Sequence, residues 1–574
     1  MLVADSQPAL NQPMLKQPLL WLLLICAINF FAFLGGHSLW DVDEPNNAVC
    51  AREMLLEGNW WVPMFNGAYR FDKPILIYWL MMPLDALFGV NEWTARLPSA
   101  LPMTALVLVI WGMTRRLMAD CSATVRDNTS LMAAGLFATA LHIIVIARAA
   151  VPDPLLMLAL GIALPALLIA YLEQKQELQK RQPVQGMPGL LITAYIAIGF
   201  GTLAKGPIAG LMPLLIVAAF LTLNRDWQSW RLFHPFKGIG IALAVALPWY
   251  ITVGILTHGV WLEGFIFHQN IDRFTSPLQG HHGFPGLYIV SMMLGWFPWT
   301  GLLAATLWFG SWRLTSLRQE PVRLFLLCWI GIYILFFSIA RTQLPNYILP
   351  LFPATAMLMA YGWMHASEAL RQRAIRWLVW TALLLSLVIV VGGGMALEKQ
   401  WPGEGYYILA MLPMLLVSAW LVWNKQADRQ PGRVDARLML PIAMAVSILM
   451  LAGWSVKGID HHKISKVLAA KATEAGFDGS ELATFHYFQP SLLFYHGGRL
   501  PLLTKTAQVG AWLAGGKAVV IAQDALELLP KAIIPYLIVH ARLHGMYARK
   551  WLLLVSLQPL DSNHGGGKVK GERR

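Results

Sequence analysis

Thirteen mainly apolar runs divide this chain, at 18–36, 97–117, 130–147, 154–172, 188–204, 207–223, 238–256, 286–310, 324–340, 345–363, 377–396, 406–423 and 438–455. Each is roughly the 17–25 residues that a helix needs to cross a bilayer. Hydrocarbon offers no partner to a backbone N–H or C=O, so runs of this kind are confined to α-helices that bond internally. Composition agrees: only 13% of residues are charged and 57% are hydrophobic, where a soluble domain carries about a quarter charged. The expected fold is therefore a polytopic α-helical membrane protein, and the 25 tryptophans suit its two interfaces. The first run, 18–36, is read as an uncleaved anchor rather than a signal peptide.

A net charge of +13 raises the question of a nucleic-acid partner. The bases sit instead in alternating short loops, such as Arg115–Arg116, Lys175–Lys180–Arg181, Arg313–Arg318–Arg323 and Arg371–Arg373–Arg376. The intervening loops carry single bases: Arg148, Lys205, Arg273, Arg341 and Lys399. The positive-inside rule then places the N-terminus in the cytoplasm and the C-terminal region outside. Cys26, Cys50, Cys121 and Cys328 show no paired spacing, which argues against a disulfide framework or a zinc site.

Residues 1–455 are read as the membrane domain, with outer loops 37–96 and 257–285 too long to be connectors. The first loop holds two candidate short helices, near 45–57 and 75–88. The second of these, with Pro83 and Asp85, suits the interface better than a span. Beyond 456 the composition shifts. "ELATFHYFQPSLLFYHGG", "LPLLTK" and "KAVVIAQ" read as strands, and 462–475, 506–514 and 524–530 as helices. A small α/β domain over 456–562 is expected outside the membrane, followed by a disordered basic tail at 563–574.

Chemistry-bearing residues gather at the outer face. In "WDVDEPNNAVCAREM", Pro45 suits the first turn of a helix that Asp43 or Glu44 would cap. A cap needs one carboxylate, and Asp41, Asp43 and Glu44 supply three. Lys73 stands before Pro74 at the entry to the second short helix, where it would either snorkel or meet a phosphate. Asp153, between two prolines, is a good N-cap or an acidic site residue. Lys205 lies at an outer turn where an ionisable group is costly and so a functional candidate. The loop with His268, Arg273, His281 and His282 matches no tight metal-ligand spacing and reads better as phosphate-facing. Arg341 and Tyr347 share another outer turn. Carboxylates and fixed cations at one face suit a phosphorylated lipid substrate better than an ion channel, whose polar groups would line a whole pore. A secondary transporter would show an internal repeat and helices broken near the midplane.

The order "AREML..GNW..P.FNG", "FDKP", "LFG.NEW.ARLPSAL", "RAAVPDPLL", "LAKGP", "RFTSP", "GWFPW" and "LPNYILP" resembles the polytopic GT-C glycosyltransferases. It is similar to the bacterial branch that holds the aminoarabinose lipid A transferase and relatives of protein O-mannosyltransferases. The likeness runs from about residue 38 to 365. It implies a polyprenyl (undecaprenyl) phosphate-sugar donor, an envelope acceptor such as lipid A, a lipid-linked glycan or a protein, and inverting transfer at the periplasmic face. The family's first acidic residue falls on Asp43, with Glu44 beside it, and its second on Asp153. Its Glu-Lys-Pro lysine falls on Lys73, where Asp72 replaces Glu. Lys205, Arg273 and Tyr347 take positions that line the lipid-phosphate site in relatives, and His268 and Arg341 are grouped with them. Asn46–Asn47 and Arg341-Thr342-Gln343 depart from the aminoarabinose branch, which carries Arg-Tyr and a Lys-rich turn there. No cofactor is assigned, and a divalent cation is left open.

Overall fold

The computed structural model describes residues 17–180, 186–272, 284–310, 312–424, 436–546 and 550–558. Arg273, His281, His282 and the basic tail lie outside them. The chain forms two compact units: Met1–His37 with Cys50–Gly458, and Ser38–Val49 with Ile459–Arg574.

Among the described residues, eight helices are long and apolar enough to cross a membrane. They are Glu92–Leu117, Asp153–Gln179, Pro235–Leu256, Pro321–Ile339, Pro345–His365, Glu368–Gln400, Gly405–Trp423 and Leu438–His462. A ninth results if Ala123–Ala138 and Leu141–Ala147, bent by 64°, count as one span. The remaining runs expected to span also carry helix, but shorter helix. Pro18–Phe31, Gly189–Lys205 and Ile208–Asn224 have at most 17 residues. The run 286–310 is two helices, Leu287–Gly295 and Thr300–Phe309. Pro298 stands at the break, where a residue without an N–H cannot continue the ladder.

In the first unit, local sequence explains where helices begin and end. Asn91 caps Glu92–Leu117: its side chain accepts from Trp93 N at 2.9 Å and Thr94 N at 3.0 Å. The Thr94 hydroxyl accepts the Asn91 N–H in return, closing a capping box. Arg115 and Arg116 occupy the last turn of the same helix, where cations offset its carbonyl end. Asp153–Gln179 is the most enclosed of the long helices and packs against both Glu92–Leu117 and Gly189–Lys205.

Two arginines, one buried and one half-buried, secure the chain after the first helix. Arg96, fully buried, donates to the carbonyls of Leu34 at 2.7 Å and His37 at 3.1 Å. Arg148 donates to those of Asn29 at 3.2 Å and Ala32 at 2.8 Å.

The loop 37–96 contains the helices Asp43–Leu56 and Leu76–Phe88, within two residues of the expected bounds. Between them Met64–Phe65 pairs with Ala68–Tyr69 as a small hairpin. The Glu53 carboxylate accepts the turn's Asn66 N–H at 2.9 Å and Gly67 N–H at 3.1 Å.

The second unit is built on a five-stranded mixed sheet. Its order is Leu502–Leu503, Leu482–Phe485, Ala518–Ala522, Trp551–Leu557, Leu537–His544. The first three strands are parallel and the last two pairings antiparallel. Ser465–Glu474, Pro490–His496 and Thr506–Ala514 are its main helices. The long strand expected over 481–498 is instead a strand of four residues followed by a helix. Pro490 fixes φ at the first helical position and turns the apolar run helical there. Residues 523–528 form a 3-10 turn, where a helix was expected over 524–530.

Candidate active site

Asp153 opens its helix and Lys205 closes the next one. Each sits at the end its charge favours: an anion near free N–H groups, a cation near free carbonyls. A short connection makes the two helices antiparallel neighbours, which brings these opposite ends together. Lys205 Nζ donates to Asp153 Oδ1 at 2.5 Å, with side chains 18% and 7% exposed. At that burial the pair is only weakly screened by solvent or salt.

Gly206 follows with φ +89°. A β-carbon there would lie 2.6 Å from Phe265 Cζ, so the turn that releases Lys205 from its helix has no room for a side chain. The Tyr347 ring, in the 3-10 segment Pro345–Leu351, lies 5.7 Å from Lys205 Nζ. Phe337 packs on it at 5.2 Å between centroids. The result is an ammonium held by one carboxylate and faced by an aromatic ring, an arrangement suited to an anionic group with a lipid tail.

Of the other candidates of this unit, Lys73 and Arg341 lie between helices and His268 lies in the helical segment Gly264–Ile271. Lys73 is half-buried between Asp72 and Pro74, and Asp72 is ion-paired to Arg70 at 3.0 Å. Arg70 is buried and donates to Tyr78 Oη at 3.3 Å, and its own carbonyl accepts Trp261 Nε1–H at 2.7 Å. The stretch around Lys73 is thus anchored at its base. Arg341 is exposed at the turn after Pro321–Ile339. His268 is exposed and bonded to Asp272 at 3.0 Å, one helical turn on.

In the second unit the three carboxylates of the acidic stretch separate into different tasks. Asp43 is exposed at the first residue of its helix. Glu44, expected beside it as a catalytic carboxylate, is buried and accepts the Trp40 N–H at 2.7 Å. Asp41 accepts the Ser491 N–H at 2.9 Å on one oxygen and the Ser491 hydroxyl on the other. Burial raises the Asp41 pKa above the usual carboxylate value, against the opposing effect of those Ser491 bonds. Ser491, Asp460 and Lys463 carry no local sequence signal that ties them to this stretch. Their partners lie more than four hundred residues away.

A bundle of helices long and apolar enough to cross a membrane, together with a small mixed-sheet unit, defines a polytopic membrane protein. The fold is that of the crystal structure of ArnT from Cupriavidus metallidurans bound to undecaprenyl phosphate. That structure superposes with a TM-score of 0.72 at 19% identity, over 94% of this chain and 98% of the other. Residues 72–251 match the family described as dolichyl-phosphate-mannose-protein mannosyltransferase. Two relatives carry the name undecaprenyl phosphate-alpha-4-amino-4-deoxy-L-arabinose arabinosyl transferase. The one from Pectobacterium atrosepticum is 30% identical over 395 residues, 68% of each chain. The one from Erwinia tasmaniensis is 32% identical over 339 residues, covering 59% of this chain and 58% of the relative's length. This chain belongs to that family of multi-pass membrane glycosyltransferases.

Proposed function

We propose that the protein moves a sugar from an undecaprenyl phosphate donor to an envelope acceptor such as lipid A, at the outer face of the bacterial inner membrane. The buried Lys205–Asp153 pair beside Tyr347 carries this reading. The relatives' names supply the donor lipid and, for the sugar, 4-amino-4-deoxy-L-arabinose. The charge bias of the loops supports a cytoplasmic N-terminus and a periplasmic C-terminal unit.

The acceptor oxygen attacks the anomeric carbon from the face opposite the lipid phosphate. The carbon–oxygen bond to that phosphate breaks, and the bond electrons stay on the leaving oxygen. Phosphate is stable as an anion, so charge stabilisation replaces general-acid help. Lys205 provides it: an ammonium has three donors, and the bond to Asp153 aims the group while using one. Lys73, Arg273 and Arg341 are assigned the same electrostatic role towards donor or acceptor phosphates, and His268 is assigned to substrate binding with them. Asp43, exposed at the first residue of its helix, accepts the proton when the acceptor is a hydroxyl.

Mass spectrometry of envelope glycolipids from a deletion strain tests the reading. Loss of a pentosamine-bearing lipid A species, restored by the wild-type gene and not by Asp43→Asn, is the expected result. An unchanged lipid A profile contradicts lipid A as acceptor.

A further inference from the structure

Four consecutive residues ahead of Asp43 are tied down within the second unit, each by a different bond. The Ser38 N–H is shared between the two Asp460 oxygens at 3.1 and 3.0 Å, and the Ser38 hydroxyl donates to Asp460 at 2.8 Å. The Ser38 carbonyl accepts Lys463 Nζ at 2.9 Å. The Leu39 N–H goes to Tyr495 Oη at 2.9 Å. The Trp40 N–H goes to Glu44, and Lys463 Nζ stands 3.5 Å from the centre of the Trp40 ring. Asp41 ends the series on Ser491, whose hydroxyl lies 2.7 Å from that of Ser465.

A connector needs no such treatment. Loops between helices are ordinarily exposed and mobile, and their polar groups face water. Here Lys463 is only 3% exposed and contacts Asp460, the Ser38 carbonyl and the Trp40 ring. Placing a cation there costs desolvation that a simple tether would not require. Asp43, two residues past Asp41, is left exposed while its approach is fixed.

We propose that Asp41, Ser491, Asp460 and Lys463 are positioning residues: they hold the segment 38–41 so that the Asp43 carboxylate is presented in one place. This rests on the reading of Asp43 as the proton acceptor. It explains why the sequence carries one carboxylate more than capping and proton transfer demand: Asp41 is a strut. A displaced carboxylate binds no less donor but reacts more slowly, because transfer depends steeply on the geometry of the reacting groups.

The test uses full-length purified protein and an undecaprenyl phosphate-sugar donor with lipid A. Ser491→Ala is expected to lower kcat by about 10–100-fold with donor KM unchanged, and Ser491→Thr, which keeps the hydroxyl, to restore most of it. Hydrogen exchange at the Leu39–Asp43 amides should quicken by about tenfold in Ser491→Ala and not in Ser491→Thr. Wild-type kcat and wild-type exchange in Ser491→Ala overturn the proposal while leaving Asp43 in its role. Full activity of Asp43→Asn removes that role, and the positioning proposal falls with it. A fall in apparent Tm with kcat preserved in the folded fraction shows a merely structural contact, and also overturns it.

Discussion

Lys205 and Asp153 meet at 2.5 Å across the facing ends of two antiparallel helices, 52 residues apart in the chain. Removing either partner leaves the other's charge buried and uncompensated, which costs on the order of 3 kcal/mol. Lys205→Met should therefore lower the apparent Tm in detergent, and Asp153→Asn combined with it should recover part of the loss. Activity should not recover, because the double variant still lacks the cation, and donor turnover should stay about 10²–10³-fold down. Equal recovery of stability and turnover would show that the pair only holds the fold.

Gly206 should tolerate no side chain. Its φ of +89° and the 2.6 Å approach of Phe265 to a built β-carbon act together. Gly206→Ala should cost about 1–3 kcal/mol in backbone strain and move Lys205 with the turn. Thermal unfolding and turnover of that variant, beside Gly210→Ala in the following helix as a control, check this. A β-carbon at Gly210 meets only a single contact at 4.0 Å.

The Asn91 cap offers a prediction about stability alone. Asn91→Ala removes the acceptor of two N–H groups at the start of Glu92–Leu117 and should cost about 1 kcal/mol. Asn91→Asp should cost far less. Turnover per folded molecule should match wild type in both, measured beside thermal unfolding in detergent.

Asp460 should support stability through its hydrogen bonds. It accepts the Ser38 N–H at 3.1 and 3.0 Å and the Ser38 hydroxyl at 2.8 Å. Asp460→Ala leaves those donors without this acceptor and should cost about 1–3 kcal/mol, read as a fall in apparent Tm in detergent. An unchanged Tm would show that these bonds contribute nothing to stability.

Much of the fold was legible because its largest constraint is one-dimensional. A run of apolar residues announces a helix whatever it packs against, and the runs all proved helical. What they concealed was continuity: Pro298 splits 286–310, whereas 188–204 and 207–223 formed helices of the expected 17 residues each. Asp153 was readable as an N-cap or acidic residue between prolines and Lys205 as a costly charge at an outer turn, whereas their pairing depends on how two helices pack. Asp41 illustrates the opposite limit. Its surplus was visible at once, but its partner Ser491 lies 450 positions away and follows a proline that reads equally well as a strand end. Edge strand Leu537–His544 escaped notice because its exposure alternates irregularly around a bulge, so no clean two-residue period announces it.

The most direct measurement is release of undecaprenyl phosphate by purified protein in liposomes holding the lipid-linked sugar and lipid A. Wild type should release one lipid phosphate for each sugar gained by lipid A, while Lys205→Met and Asp43→Asn stay folded and nearly inert. Sugar gained at the wild-type rate by folded Lys205→Met protein would contradict the assignment of Lys205 to the leaving phosphate.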